Sequence, residues 1–187
     1  LSLMFLWTAL PAFSQNIKTV DFVMTEVSRA EVLGLGNLQI HAENARYYQF
    51  DIDALKSQMD GVMYREEPGV GFVAQLKFPH PDGTIYNYQA KGNRTMHSDL
   101  GALFPEITSY DAAGLDNVAK AKWDITPAGF HATIMLLDES TVFIDPVIKG
   151  NSEYYIVYHR NDFSTDKIMS CDVTNTSLSS KTLPTGG

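Results

Sequence analysis

The chain has 187 residues, 44% of them hydrophobic and 19% charged, with a formal net charge of −8. That composition excludes a disordered polymer, and the length allows one domain with a sizeable core plus tails. The acidic balance argues against nucleic acid and against an anionic membrane surface, since both need clustered Lys and Arg.

The first fifteen residues, Leu1 to Gln15, are an apolar run ending in small residues. They read as the remnant of a secretory signal peptide, with Ala12 and Ser14 at the small positions before a cleavage next to Gln15. A membrane span needs about 20 apolar residues. No span is therefore expected in the mature chain, and the expected location is outside the cell.

Ile17 to about Val32 alternates loosely and is predicted as a first strand, followed by the breaker Gly34-Leu35-Gly36-Asn37. Ala45 to Ile52 is predicted as a strand, with Tyr47 and Gln49 on one face and Tyr48 and Phe50 on the other. Asp51 or Asp53 caps a short helix, Ala54–Met59, which Gly61 stops. Leu55 and Met59 give that helix an apolar stripe.

Val70–Phe78 and Ile85–Ala90 are predicted to pair as a hairpin through Pro79-His80-Pro81-Asp82-Gly83. Pro presets φ there, and Asp-Gly supplies the positive φ of a tight turn. Ser98 caps a second helix, Asp99–Phe104, which Pro105 ends. Ala119–Thr126, Phe130–Leu137, Thr141–Ile144 and Glu153–Tyr158 follow as strands. Their links are too short for parallel crossovers, so they must be antiparallel neighbours.

The expected fold class is α+β, mainly an antiparallel meander with two short helices. Residues 16–163 form the expected domain, and 164–187 a linker or tail rich in Thr, Ser, Asn, Pro and Gly. The predicted core is Leu55, Phe72, Leu76, Phe78, Ile85, Leu103, Phe104, Trp123, Ile125, Phe130, Ile134, Leu136, Phe143, Ile144, Ile156 and Tyr158.

The chain's chemistry is sparse. Five histidines, His41, His80, His97, His131 and His159, include no His-Glu-x-x-His helix motif. His131 alternates with apolar residues and suits a structural place in a strand. Glu66-Glu67 and Asp138-Glu139 read as solvated surface. No Gly-x-Ser-x-Gly elbow or complete dinucleotide loop occurs. Tyr154, Tyr155 and Tyr158 suit sheet packing, with a sugar-stacking platform as the alternative. Asn93-Arg94-Thr95 and Asn175-Thr176-Ser177 match the glycosylation sequon. Cys171 is the single cysteine, so no disulfide forms within the chain. In an exported protein such a thiol is idle, reactive or a ligand. No catalytic or cofactor-binding residue is expected, and the chain is not expected to be an enzyme by itself.

Five segments occur in order: Phe50-Asp51-Ile52-Asp53-Ala54-Leu55, Pro81-Asp82-Gly83-Thr84, Leu103-Phe104-Pro105-Glu106-Ile107, Ile125 to Ala132, and Phe143-Ile144-Asp145-Pro146. Together they resemble the N-terminal propeptide of secreted bacterial reprolysin-like (adamalysin-class) zinc metallopeptidases. The resemblance covers roughly Tyr47 to Asp162. It implies a propeptide that assists folding and restrains a zinc metalloendopeptidase. The catalytic domain, the partner, and its zinc would lie outside this chain. It also implies a role for Cys171, because prodomains of this class commonly carry a cysteine switch in a Lys-Met-Cys-Gly-Val-like context. Met169-Ser170-Cys171-Asp172-Val173 is similar, with Ser170 inserted and Asp172 at the glycine position. Cys171 is thus the expected inhibitory ligand to the parent enzyme's zinc. The remaining alternative is a secreted β-rich module that binds a ligand or glycan.

Overall fold

The computed structural model describes residues 16–116, 119–138 and 140–164. The expected signal peptide and the polar tail with Cys171 lie outside these residues. Ten strands form one sheet, in the order β1-β5-β6-β7-β8-β9-β10-β11-β4-β2. They are β1 (Ile17–Thr19), β2 (Thr25–Val27), β4 (Ala45–Gln49), β5 (Val73–Pro79), β6 (Ile85–Asn93), β7 (Thr108–Gly114), β8 (Lys120–Thr126), β9 (Gly129–Met135), β10 (Thr141–Pro146) and β11 (Tyr154–His159). From β5 to β11 it is an antiparallel meander, as the short links predict for β5–β6 and for β8 to β11, with β7 inserted between them as a strand that the sequence did not predict; only β1 joins in parallel, on β5. Two further strands, β3 (His41–Ala42) and β12 (Phe163–Ser164), pair separately. With three short helices, the fold is α+β dominated by β.

The two outermost strands, β1 and β2, are separated in the chain only by residues 20–24. A link of that length spans at most about 20 Å, so the sheet must curl until its edges approach. Phe22 in the link bridges them, 5.7 Å from the Phe50 ring and 6.0 Å from the Phe78 ring. Arg46 of β4 donates from Nε to the Pro81 carbonyl at 3.1 Å, beside the β5–β6 turn.

The hollow of the curl is the main core, where Phe50, Phe78, Trp123, Phe130 and Tyr155 pack ring to ring. Helix α2 (Ile52–Met59) adds Ile52, Leu55 and Met59 to it, with Asp51 capping the amides of Asp53 and Ala54. A second cluster lies on the outer side of β11 and β4, where Val32, Val147 and Ile148 cover Tyr47, Ile156 and Tyr158. This cover is why β11 is buried on both faces.

Three expectations need correction. The region Ile17–Val32 is not one strand but β1, β2 and the start of helix α1 (Arg29–Leu35). Ser28 accepts the Glu31 amide at 3.1 Å, so Ser28-Arg29-Ala30-Glu31 carries a helix-start pattern that wins locally. Three predicted core residues are exposed: Ile85 (59%), Leu103 (72%) and Phe104 (43%). Ile85 opens β6 beside the hairpin turn, and helix α3 (Ser98–Leu103) buries none of its residues. His97, not Ser98, caps α3, accepting the Asp99 amide on Nδ1 at 3.4 Å. Leu136 and Phe143 are half-buried, and the other predicted core residues are buried.

The β5–β6 turn has the expected geometry. Gly83 has φ +88 and donates to the His80 carbonyl at 2.9 Å. Gly71 is more constrained, at φ +94, where an added Cβ would lie 2.3 Å from the Gly61 carbonyl oxygen. Gly71→Ala should therefore destabilise by at least about 1 kcal/mol, read as a lower midpoint in urea unfolding at unchanged slope.

Candidate functional site

The strands that build the core also place the chain's few ionisable clusters. One lies at the β5–β6 and β9–β10 turns, where His80, Asp82, Asp138 and His159 surround a hollow of about 280 Å3. His80 is buried, its Nε2 2.7 Å from the Tyr88 hydroxyl. Burial pushes its pKa down to about 4, with Asp82 pulling the other way and His159 adding to the depression. His159 keeps a buried Nδ1 without a hydrogen-bond partner among the described residues. Asp82 is held below the usual carboxylate range, chiefly by the Thr84 amide that donates to it at 2.8 Å.

This cluster makes stability depend on pH. The unfolded chain protonates His80 near 6.5 and the folded chain only near 4. Between those values the unfolded state binds more protons, so stability is complete above about pH 6.5 and falls as the pH drops toward 4. Thermal melts should lose about 2 kcal/mol between pH 7.5 and pH 5, and His80→Gln should flatten that dependence.

A second arrangement lies on the outer face of the sheet. His131 Nδ1 is 2.8 Å from Asp145 Oδ1, and the Tyr158 hydroxyl donates to Asp145 Oδ2 at 2.9 Å. Burial and the Asp145 charge raise the Tyr158 pKa, so that hydroxyl keeps its proton and acts as a donor. His131 thus sits in its strand, tied to β10.

The tyrosines expected to choose between packing and sugar stacking pack. Tyr155 and Tyr158 are buried, and Tyr154 is half-buried against the outer cluster. Tyr155 stacks on Phe50 with ring centroids 3.9 Å apart, and burial pushes its hydroxyl up to about 12. That hydroxyl donates to the Ser152 carbonyl at 2.7 Å. Tyr155 and Tyr158 thus have their rings in the core and not on the surface.

Near the end of α2 lies a cavity of about 720 Å3, lined in part by Met59, Tyr64, Arg94, Glu106 and Tyr110. The Tyr64 ring is held between Gly92, where a Cβ would lie 2.8 Å from it, and the Arg94 guanidinium at 4.8 Å. Arg94 Nη1 is paired with Glu67 at 2.6 Å, and Glu66 with Arg65 at 3.3 Å, so both carboxylates take the surface role expected of them. Asn93 of the first sequon is 9% exposed and donates to Asp111 at 2.8 Å, which leaves it closed to glycosylation in the folded protein. The second sequon lies outside the described residues.

The last described element is β12, where the Ser164 hydroxyl donates to the His41 carbonyl at 3.4 Å. Leu33 and Leu35 share a hollow with His41, the β3 partner of Ser164, and these two leucines and Phe163 are exposed. Cys171 is seven residues further along the sequence. Among the described residues, no three His, Cys, Asp or Glu side chains converge to hold a metal ion, and no helix is long and apolar enough to cross a membrane. Comparison of the chain with protein-family models, with curated proteins and with solved structures gives no match.

Proposed function

We propose that this chain is the propeptide region of a secreted bacterial zinc metalloendopeptidase, an intramolecular chaperone and inhibitor whose catalytic domain and zinc lie outside it. The observation that carries the reading is the role of the five motif segments. Phe50 to Leu55 ends β4 and caps α2, and Pro81 to Thr84 turns β5 into β6. Leu103 to Ile107 ends α3, Ile125 to Ala132 makes the β8–β9 hairpin, and Phe143 to Pro146 lies in β10. Four of the five segments build the fold at a cap, a turn or a core strand, as the marks of a folding module should, while Leu103 to Ile107 closes the exposed α3.

Cys171 is the inhibitory ligand in this reading. Seven residues beyond Ser164 reach at most about 25 Å, which holds the thiol near the body at an effective concentration on the order of millimolar. Its Sγ would take the open position of the enzyme's zinc, where water binds in the active form, and so withhold the nucleophile. Cleavage of the tail turns a tethered ligand into a dilute one. The test is titration of the parent catalytic domain with wild-type and Cys171→Ser chain. Weaker inhibition by the variant supports the switch, and equal inhibition constants refute it.

A further inference from the structure

The outer face of the sheet carries a groove that the propeptide reading does not use. On β7 the outward residues here are short, Asp111 and Ala113, while the flanking strands present Gln89 and Lys91 on β6 and Lys120 and Lys122 on β8. The pairing places Lys91 and Lys122 on either side of Asp111, and Gln89 and Lys120 on either side of Ala113. The result is a trough along β7 of about 490 Å3, which Arg65 and Met135 also line. It spans two strand spacings, about 10 Å, and runs along β7 from Asp111 to Ala113, ending before Ser109, which donates to the Asp124 carboxylate.

Its charge is opposite to that of the chain. Four cations line it against one carboxylate, in a protein of net charge −8. That carboxylate is engaged through one oxygen, while its buried Oδ1 has no hydrogen-bond partner among the described residues, and Arg65 also pairs with Glu66 at 3.3 Å. Asp111 Oδ2 accepts from Arg65 Nη1 at 2.9 Å and from Asn93 at 2.8 Å, and Lys122 Nζ stands 3.8 Å from Oδ1. Lys91 and Lys120 have no ion-pair partner among the described residues. Met135 and Ala113 add exposed apolar surface at one end.

We propose that this groove docks an extended acidic segment of a protein partner, with carboxylates on the lysine walls and an apolar side chain at the Ala113–Met135 end. The width fits one extended chain, and the apolar end favours a peptide over a sulfated glycan, which has nothing to place there. The ammonium groups at the rim would steer such a partner and fix its register. The inference stands on the groove alone, not on Cys171.

The test uses the full chain and a fluorescent synthetic peptide alternating Glu with Leu, read by anisotropy. Binding should weaken with added salt and fall at least tenfold in Lys120→Glu/Lys122→Glu, whose side chains are exposed. Lys149→Glu, an exposed charge reversal outside the groove, should leave it unchanged. Failure to bind up to about 1 mM overturns the proposal. So does equal weakening by Lys149→Glu, or tighter binding of a sulfated oligosaccharide than of the peptide. Cys171→Ser should bind the peptide as wild type does, so loss of this site and loss of inhibition are separate results.

Discussion

Phe130→Ala is expected to destabilise the protein by about 3–5 kcal/mol, lowering the melting temperature by roughly 10 °C or more. Phe130 is fully buried and its ring meets those of Phe50 at 5.6 Å, Phe78 at 5.5 Å, Trp123 at 6.4 Å and Tyr155 at 6.2 Å. Those partners come from different parts of the curled sheet, so truncation opens a cavity that no single strand can close. Trp123→Ala should cost a similar amount. Because the two rings are neighbours, the double variant should cost less than the sum. Leu103→Ala, at a position 72% exposed, should stay within about 0.5 kcal/mol of wild type. Denaturant unfolding of the three single variants checks this. A neutral Phe130→Ala would contradict the packing.

Cys171→Ser is expected to weaken inhibition of the parent catalytic domain by about 30- to 1000-fold. That range corresponds to losing about 2–4 kcal/mol when a hydroxyl replaces a thiolate as a zinc ligand. The body of the fold should keep part of the affinity through its own contacts, so binding survives where inhibition weakens. The exposed apolar residues around β3 and β12, Leu33, Leu35 and Phe163, are suited to such contacts. A pull-down with Cys171→Ser chain should therefore still capture the catalytic domain.

Much of the sheet was legible because its turns are written in residues with one conformational meaning. Pro81-Asp82-Gly83 and Pro127-Ala128-Gly129 mark hairpins, and short links leave only antiparallel neighbours. β7 was not legible. Thr108-Ser109-Tyr110-Asp111-Ala112-Ala113-Gly114 has little β propensity, and it is a strand because β6 and β8 pair with it on both sides. Helix α1 was hidden by loose alternation, though Ser28 and Glu31 carried its start. Leu103 and Phe104 misled because apolar character says nothing of what stands opposite, and α3 buries none of its residues. For the sites, the sequence exposes Cys171 as the lone thiol. It cannot expose the lysine groove, which exists only once the register of β6, β7 and β8 is known.

The most direct test of the propeptide account is a titration of the parent metallopeptidase's catalytic domain with this chain supplied in trans. Saturable inhibition by the wild-type chain, relieved when the segment between Ser164 and Cys171 is cleaved, is the result expected. Full peptidase activity at saturating concentrations of folded wild-type chain would contradict it.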